Sequence, residues 1–180
     1  MRALDDLVRS GKVRYLGNSN YAGWQIASAH WIAKQNNLSP FISAQNEWSV
    51  IKRAVEDEVV PAAQEFGLGM LPYFPLASGL LTGKYKRGEM APEGTRLAEG
   101  PMAERSLTEA NFDIVEKLEP YAVERGHTLL ELAFSWLASH PAVGSVIAGA
   151  TKPEQVTKNA TAADWILSSE ERAEVDGLTQ

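Results

Sequence analysis

The chain has 180 residues, enough for one domain with a substantial buried core. Hydrophobic residues make up 44% and charged residues 22%, and 17 basic against 23 acidic side chains leave a formal net charge of −6. That balance disfavours nucleic-acid backbones and anionic membrane surfaces as partners, and the absence of cysteine excludes disulfides, thiolate nucleophiles and thiolate metal sites.

The opening "MRALDDLVRSGK" is charged throughout and does not read as a signal peptide. No apolar run approaches the roughly 18 to 20 residues of a membrane span, so a cytoplasmic protein is expected. Residues 2–10 predict a short helix with Leu4, Leu7 and Val8 on one face, closed by Gly11. "KVRYLG" (12–17) predicts a buried strand, and 22–36 a helix with Trp24, Ala27 and Trp31 in register. "FISAQNE" (41–47) reads as a second strand. Helix 54–66 follows, with Val55, Val59, Ala62 and Phe66 on one stripe and Gly67 as its stop. "LGMLPYFPL" (68–76) is a third strand whose ladder Pro72 and Pro75 should end early.

The segment 83–106 is rich in Lys, Arg, Gly and Pro without periodicity, and loops of that length are often functional. Helices are predicted over 107–125 (Ile114, Leu118, Tyr121 in step) and 128–139 (Leu129, Leu132, Ala133, Trp136, Leu137). "SVIAG" (145–149) is a fourth short strand. "TKPEQVTKNATA" opens a helix with proline near its start, and a last helix covers 169–176. Residues 1–180 read as a single domain of four strand–helix units with parallel strands. Such units fit either a small doubly wound sheet or half of an eight-unit barrel, and both place ligand chemistry beyond the C-terminal strand ends. "NSN", "QNE", "YFPLAS" and "GATK" stand there.

"SGLLTGKY" (78–85) fails as a triphosphate loop, because Ser78 replaces the first glycine and Tyr85 the Ser/Thr. No G-x-G-x-x-G or G-x-S-x-G is present, and His30, His127 and His140 have no metal-ligand spacing, so no metal site is expected. His30 reads as a packing or surface residue. Taken alone, Ser19 and Asn20 read as caps of the following helix, Tyr73 would serve equally well as core, and Lys84 and Arg96 would be solvated loop charges.

Jointly, these stretches resemble aldo-keto reductases. "GNSNY" is similar to that family's G-x-S-N-[FY], "SAQNEW" to its [VA]-x-Q-x-E-[YW], and "YFPLASGLLTGKY" to its aromatic-x-P-L-[AG]-x-G-x-[LV]-[ST]-G-K-Y. "GATKPEQVTKN" is similar to its G-[AS]-[TS]-x-x-E-Q-[LV]-x-x-N ending. Order and spacing agree over essentially the whole chain, nearest the general-stress and potassium-channel β-subunit branch. The resemblance implies an α/β fold that is half of a TIM (β/α)8 barrel, four βα units with an extra C-terminal helix, starting on the helix before the barrel's fifth strand.

It also implies an NADP(H) cofactor. Ser19, Asn20 and Gln45 would bond the nicotinamide carboxamide, and Tyr73 would stack on the ring. Pro75, Leu76, Ala77 and Ser78 would pass close to the pyrophosphate, with Lys84 and Arg96 supplying positive charge. Gly149 and Thr151 would hold the adenosine 2′-phosphate, with Gln155 and Asn159 at the adenosine end. Lys158 stands where this branch often has glutamate. The family's acid–base tyrosine lies in D-x-[AS]-x-x-Y-G, which this sequence does not contain, so no catalytic residue is assigned. A half-barrel has two open strand edges. The expected partner is therefore another copy of the chain or a complementary N-terminal half, and a small carbonyl substrate is expected only on completion. The rival expectations are a non-catalytic NADP(H)-binding or self-assembling module, and a truncated remnant.

Overall fold

The computed structural model describes residues 1–179. Its first helix, α1 (Arg2–Arg9), is held by a carboxylate rather than by its apolar face. Asp5 is buried, accepts the Ser39 backbone N–H and hydroxyl at 2.8 Å each, and pairs with Arg9. Those bonds, the Ser39 N–H foremost, hold the Asp5 carboxyl below the usual carboxylate range. Leu4, Leu7 and Val8 stay partly open.

β1 (Leu16–Ser19) starts four residues later than the sequence pattern suggested. The N–H groups of Lys12 and Val13 bond back to the Leu7 carbonyl, closing α1, and Tyr15 is exposed. The ladder can form only from Leu16 onward, which puts Ser19 inside the strand. β2 (Phe41–Gln45) and β3 (Gly69–Met70) follow in a three-stranded parallel sheet of order β1-β2-β3. Ser19 pairs with Gln45 and Ala44 with Met70.

Between these strands run α2 (Gly23–Gln35), a 3₁₀ turn (Ala54–Glu56) and α3 (Val59–Glu65). The predicted stripe of Trp24, Ala27 and Trp31 is not the buried one. Gly23, Ile26, Ala29 and Ala33 are buried, whereas Trp24 and Trp31 are 66% and 48% exposed. The cause is close packing: a Cβ on Gly23 would lie 2.6 Å from the Glu58 carbonyl oxygen, so glycine at this position lets the start of α2 approach the start of α3. The single helix expected over 54–66 breaks at Asp57 and Glu58.

β3 is short because Pro72 has no N–H for the ladder. Pairing nevertheless continues past it, with Tyr73 N–H bonding to Asn46 O at 3.0 Å and Trp48 N–H to Tyr73 O at 3.3 Å. The fourth strand expected at 145–149 does not form as a regular strand. That segment runs parallel to β3 through isolated bridges at Met70–Val143 and Tyr73–Ile147, interrupted at the same proline. The regular sheet is thus three-stranded and parallel, with the segment after α6 added to its β3 edge by two bridges alone.

The remaining helices are α4 (Pro101–Ser106), α5 (Glu109–Glu124), α6 (Leu129–Ala138), α7 (Pro153–Thr161) and α8 (Ser169–Leu178). α4 lies within the stretch read as irregular, and Pro101 sits at its first position. α6 is buried on all sides, with Leu132, Ala133, Trp136 and Leu137 in the core beside Met70 and Trp48. α8 is fastened to that core by paired polar contacts. Trp136 Nε1–H donates to Asp176 and Trp48 Nε1–H to Glu56, both at 2.9 Å, while Arg53 pairs with both carboxylates. No helix of the described residues is long and apolar enough to cross a membrane.

Candidate functional site

The C-terminal ends of the three strands bring four of the predicted residues together. Register places Ser19 beside Gln45. Asn20, just past β1, has φ +57, a conformation asparagine tolerates better than most residues, and its N–H bonds to the Gln45 carbonyl at 2.9 Å. Tyr73 reaches back from the end of β3, and its phenol donates to Asn20 Oδ1 at 2.9 Å. Ser19 and Asn20 are exposed, and Gln45 and Tyr73 are half-buried, so hydroxyl, amides and ring are all at least partly open to solvent at the strand ends. Neither Ser19 nor Asn20 caps α2. That helix starts after Ala22, whose N–H is met by the Gln25 side chain at 2.9 Å. The polar groups at 19 and 20 are left to other work.

Pro75, Leu76, Ala77 and Ser78 form the next turn. Phe74, Ala77 and Ser78 all have φ between +46 and +61, and Ala77 N–H closes onto Phe74 O at 2.9 Å. Three non-glycine residues in the left-handed region within five positions mark a strained turn of the kind that gathers at binding sites.

The loop beyond it carries four cations, and the structure sorts them. Lys86 pairs with Glu119, and Arg87 with Glu109, Asp113 and Glu116, all on α5. Hydrogen bonds to these carboxylates, Glu116 first, raise the Arg87 guanidinium above its already high ordinary value. Tyr85 is buried and its phenol oxygen accepts the Leu97 N–H at 3.2 Å, tying the loop to itself. Lys84 and Arg96 have no carboxylate partner among the described residues. Lys84 Nζ lies 5.1 Å from the Tyr85 ring centroid, and the Arg96 guanidinium 5.6 Å from that of Phe74. Two cations hold the loop down and two keep their charge available.

Gly149, Thr151, Gln155 and Asn159 form a separate group, joined to the first through the bridge between Tyr73 and Ile147. Thr151 donates its N–H to Gln155 Oε1 at 2.7 Å, and because an N–H can only donate, the Gln155 amide is fixed with its NH₂ outward. Asn159 lines a cavity of about 420 Å³ with Phe134, Val146, Ala148 and Val156. His30 packs on Phe66, with ring centroids 4.7 Å apart.

Sequence reasoning missed Phe74, whose left-handed backbone at φ +56 has no mark in the sequence. It also missed Asn18 and Asn46, which are buried with each Oδ1 unpartnered by protein atoms. Their alternation with the exposed residues of "GNSN" and "QNE" could have shown that they face inward.

The Aldo/keto reductase family model matches residues 1–180. The chain is 38% identical over 169 residues to a "Probable voltage-gated potassium channel subunit beta" of Oryza sativa subsp. japonica, covering 92% of this chain and 52% of that protein. It is 32% identical over 181 residues to the "L-glyceraldehyde 3-phosphate reductase" of Escherichia coli K12, covering 97% and 51%. It is also 32% identical over 152 residues to the "Versiconal hemiacetal acetate reductase" of Aspergillus parasiticus, covering 84% and 44%. The chain spans about half the length of the curated relatives it matches. By a match that runs along its whole length, the chain belongs to the aldo/keto reductase family.

Proposed function

We propose that this chain supplies the NADP(H)-binding side of an oxidoreductase that interconverts aldehydes or ketones with alcohols. The observation that carries the reading is the convergence of Ser19, Asn20, Gln45 and Tyr73 at three strand ends, with Arg96 over the ring of neighbouring Phe74 and without a carboxylate partner among the described residues.

The donor set suits the group. A carboxamide needs both donors and acceptors, which a hydroxyl and two side-chain amides provide. A half-buried phenol ring offers a face for a planar heterocycle. The Lys84 and Arg96 charges suit phosphate, and the outward Gln155 NH₂ at the start of α7 suits an anion on the ribose. The bound nicotinamide would supply hydride. Ser19, Asn20 and Gln45 would fix its rotation, Tyr73 would cover one face, and Lys84 and Arg96 would neutralise the phosphates.

Carbonyl reduction also needs a proton, and none of the five tyrosines stands in the family's D-x-[AS]-x-x-Y-G motif. Tyr85 is buried, and Tyr121 is pushed up to about 12, by burial first and then by its bond to Glu174. The reading therefore assigns acid–base work to a complementary N-terminal half. Its place of docking would be the β1 edge, which has no ladder partner among the described residues. The same edge would serve a second copy of the chain. Positioned acid catalysis contributes about a hundred- to ten-thousand-fold, so the chain alone should reduce carbonyls negligibly.

The test is an NADPH titration of the purified chain, followed by tryptophan fluorescence. Saturable binding supports the reading, and its absence in a chain shown to be folded by circular dichroism overturns it.

A further inference from the structure

One of the rings that hold the loop cations sits where a large side chain is least expected. Phe74 has φ +56, which glycine adopts freely and a bulky residue does not. A residue kept in such a conformation asks what its side chain does. The Phe74 ring is half-buried and meets Tyr73 edge-on, with centroids 5.2 Å apart at 80°. Its face is turned to Arg96, whose guanidinium lies 5.6 Å from the ring centroid. Arg96 itself is exposed and sits 22 positions along the chain, at the far end of an irregular loop.

A carboxylate would orient Arg96 and cancel its charge, as Glu109, Asp113 and Glu116 do for Arg87. An aromatic face attracts a cation through its quadrupole and leaves the charge in place. Arranging a cation before the anion arrives lowers the ordering cost of binding. The arrangement also joins three parts: Arg96 on the loop, Phe74 at the turn, and Tyr73 bonded to Asn20 at the strand ends.

We propose that Phe74 is a positioning residue for Arg96, its ring seating the guanidinium at the C-terminal end of β3 so that the charge is already directed at a dinucleotide phosphate. This rests on the cofactor reading above. It explains why an aromatic residue occupies a backbone position suited to glycine.

The full 180-residue chain serves for the test, with Phe74→Leu removing the aromatic face and Phe74→Trp restoring it. In the free protein, the Arg96 side-chain protons should show ring-current shifts in NMR spectra of the wild type and Phe74→Trp, and none in Phe74→Leu. In titrations with NADPH, Phe74→Leu should raise Kd about threefold to tenfold, the size of a cation–π contact. Phe74→Trp should stay near the wild type. In an Arg96→Gln background, Phe74→Leu should add nothing.

A Phe74 that merely packs on Tyr73 would weaken NADPH equally with or without Arg96, and that result overturns the proposal. So do Arg96 shifts that persist in Phe74→Leu, or an unchanged Kd. If Phe74→Leu does not fold, Phe74→Gly, free of the backbone strain, takes its place. A folded wild type that binds neither NADPH nor NADH overturns the cofactor reading and this role with it. Wild-type binding that is indifferent to position 74 overturns the positioning role alone.

Discussion

The Tyr73 phenol donates a hydrogen bond to Asn20 Oδ1 at 2.9 Å across 53 positions of sequence, joining the end of β3 to the end of β1 over the top of β2. The backbone of Asn20 is fixed separately, by its N–H bond to Gln45. Removing the phenolic hydroxyl therefore frees one side chain without moving the strand end. Tyr73→Phe keeps the ring face and should raise the NADPH Kd about threefold to tenfold, the span of one net hydrogen bond. Asn20→Ala should cost at least as much, and the two changes together no more than Asn20→Ala alone. Fluorescence titrations of the three variants check this, and additive losses would show that the phenol acts independently of Asn20.

The sorting of the loop cations predicts two different phenotypes. Arg96→Gln should raise the NADPH Kd about tenfold or more, since a charged hydrogen bond is lost, and lower the thermal midpoint only slightly, through the lost contact with Phe74. Arg87→Gln should do the reverse. It unfastens the loop from α5, so limited proteolysis between residues 86 and 100 should become faster, with a smaller effect on Kd. Equal effects of both variants on affinity would mean that the loop binds only as a unit.

Two glycines should respond to alanine with opposite signs. At Gly23 the new Cβ would meet the Glu58 carbonyl oxygen at 2.6 Å, forcing α2 away from α3. Gly23→Ala should destabilise by about 1–3 kcal/mol, as overpacking does. Gly177 lies within α8 with open space around a built Cβ. Gly177→Ala should stabilise by about 0.5–1 kcal/mol by restricting the unfolded chain. Urea unfolding of both variants decides the matter.

Which residues stand at the strand ends was more legible in the sequence than the limits of the strands, for a physical reason. Ser19, Asn20, Gln45 and Tyr73 are polar or amphipathic groups at the ends of apolar runs, a contrast that survives errors of a few residues in strand limits. β1 was misplaced because Lys12 and Val13 close α1 through Leu7, a main-chain event that side-chain patterns do not record. The fourth strand does not form regularly although Val146 and Ile147 look like strand residues, because the pairing they need is interrupted by Pro72 in another element. The α2 stripe was read from its largest side chains, yet the packing surface was chosen by Gly23, Ala29 and Ala33. Phe74 was passed over because nothing in a sequence marks a phenylalanine as left-handed.

His140 gives the fold a pH dependence whose direction can be worked out. Its Nδ1 accepts the Ala142 N–H at 3.2 Å, and its ring stands edge-on to buried Trp48 at 4.8 Å. Burial is the main cause that lowers its pKa below 6.5, helped by Arg172 and Arg53 and opposed by Glu56 and Asp176. The unfolded chain therefore binds the proton more readily than the native one. Stability from this group is complete above about pH 6.5, falls as pH drops below that value, and stops falling below the native pKa. Asp5 and Glu131, both lowered, lose their contributions only in the more acidic carboxylate range, so the windows separate. His140→Asn can keep an acceptor for Ala142 and cannot take up a proton. Its stability deficit relative to the wild type should shrink between pH 8 and pH 5 in urea unfolding curves. A deficit that stays constant across that range would show that the imidazole is packed without being titrated.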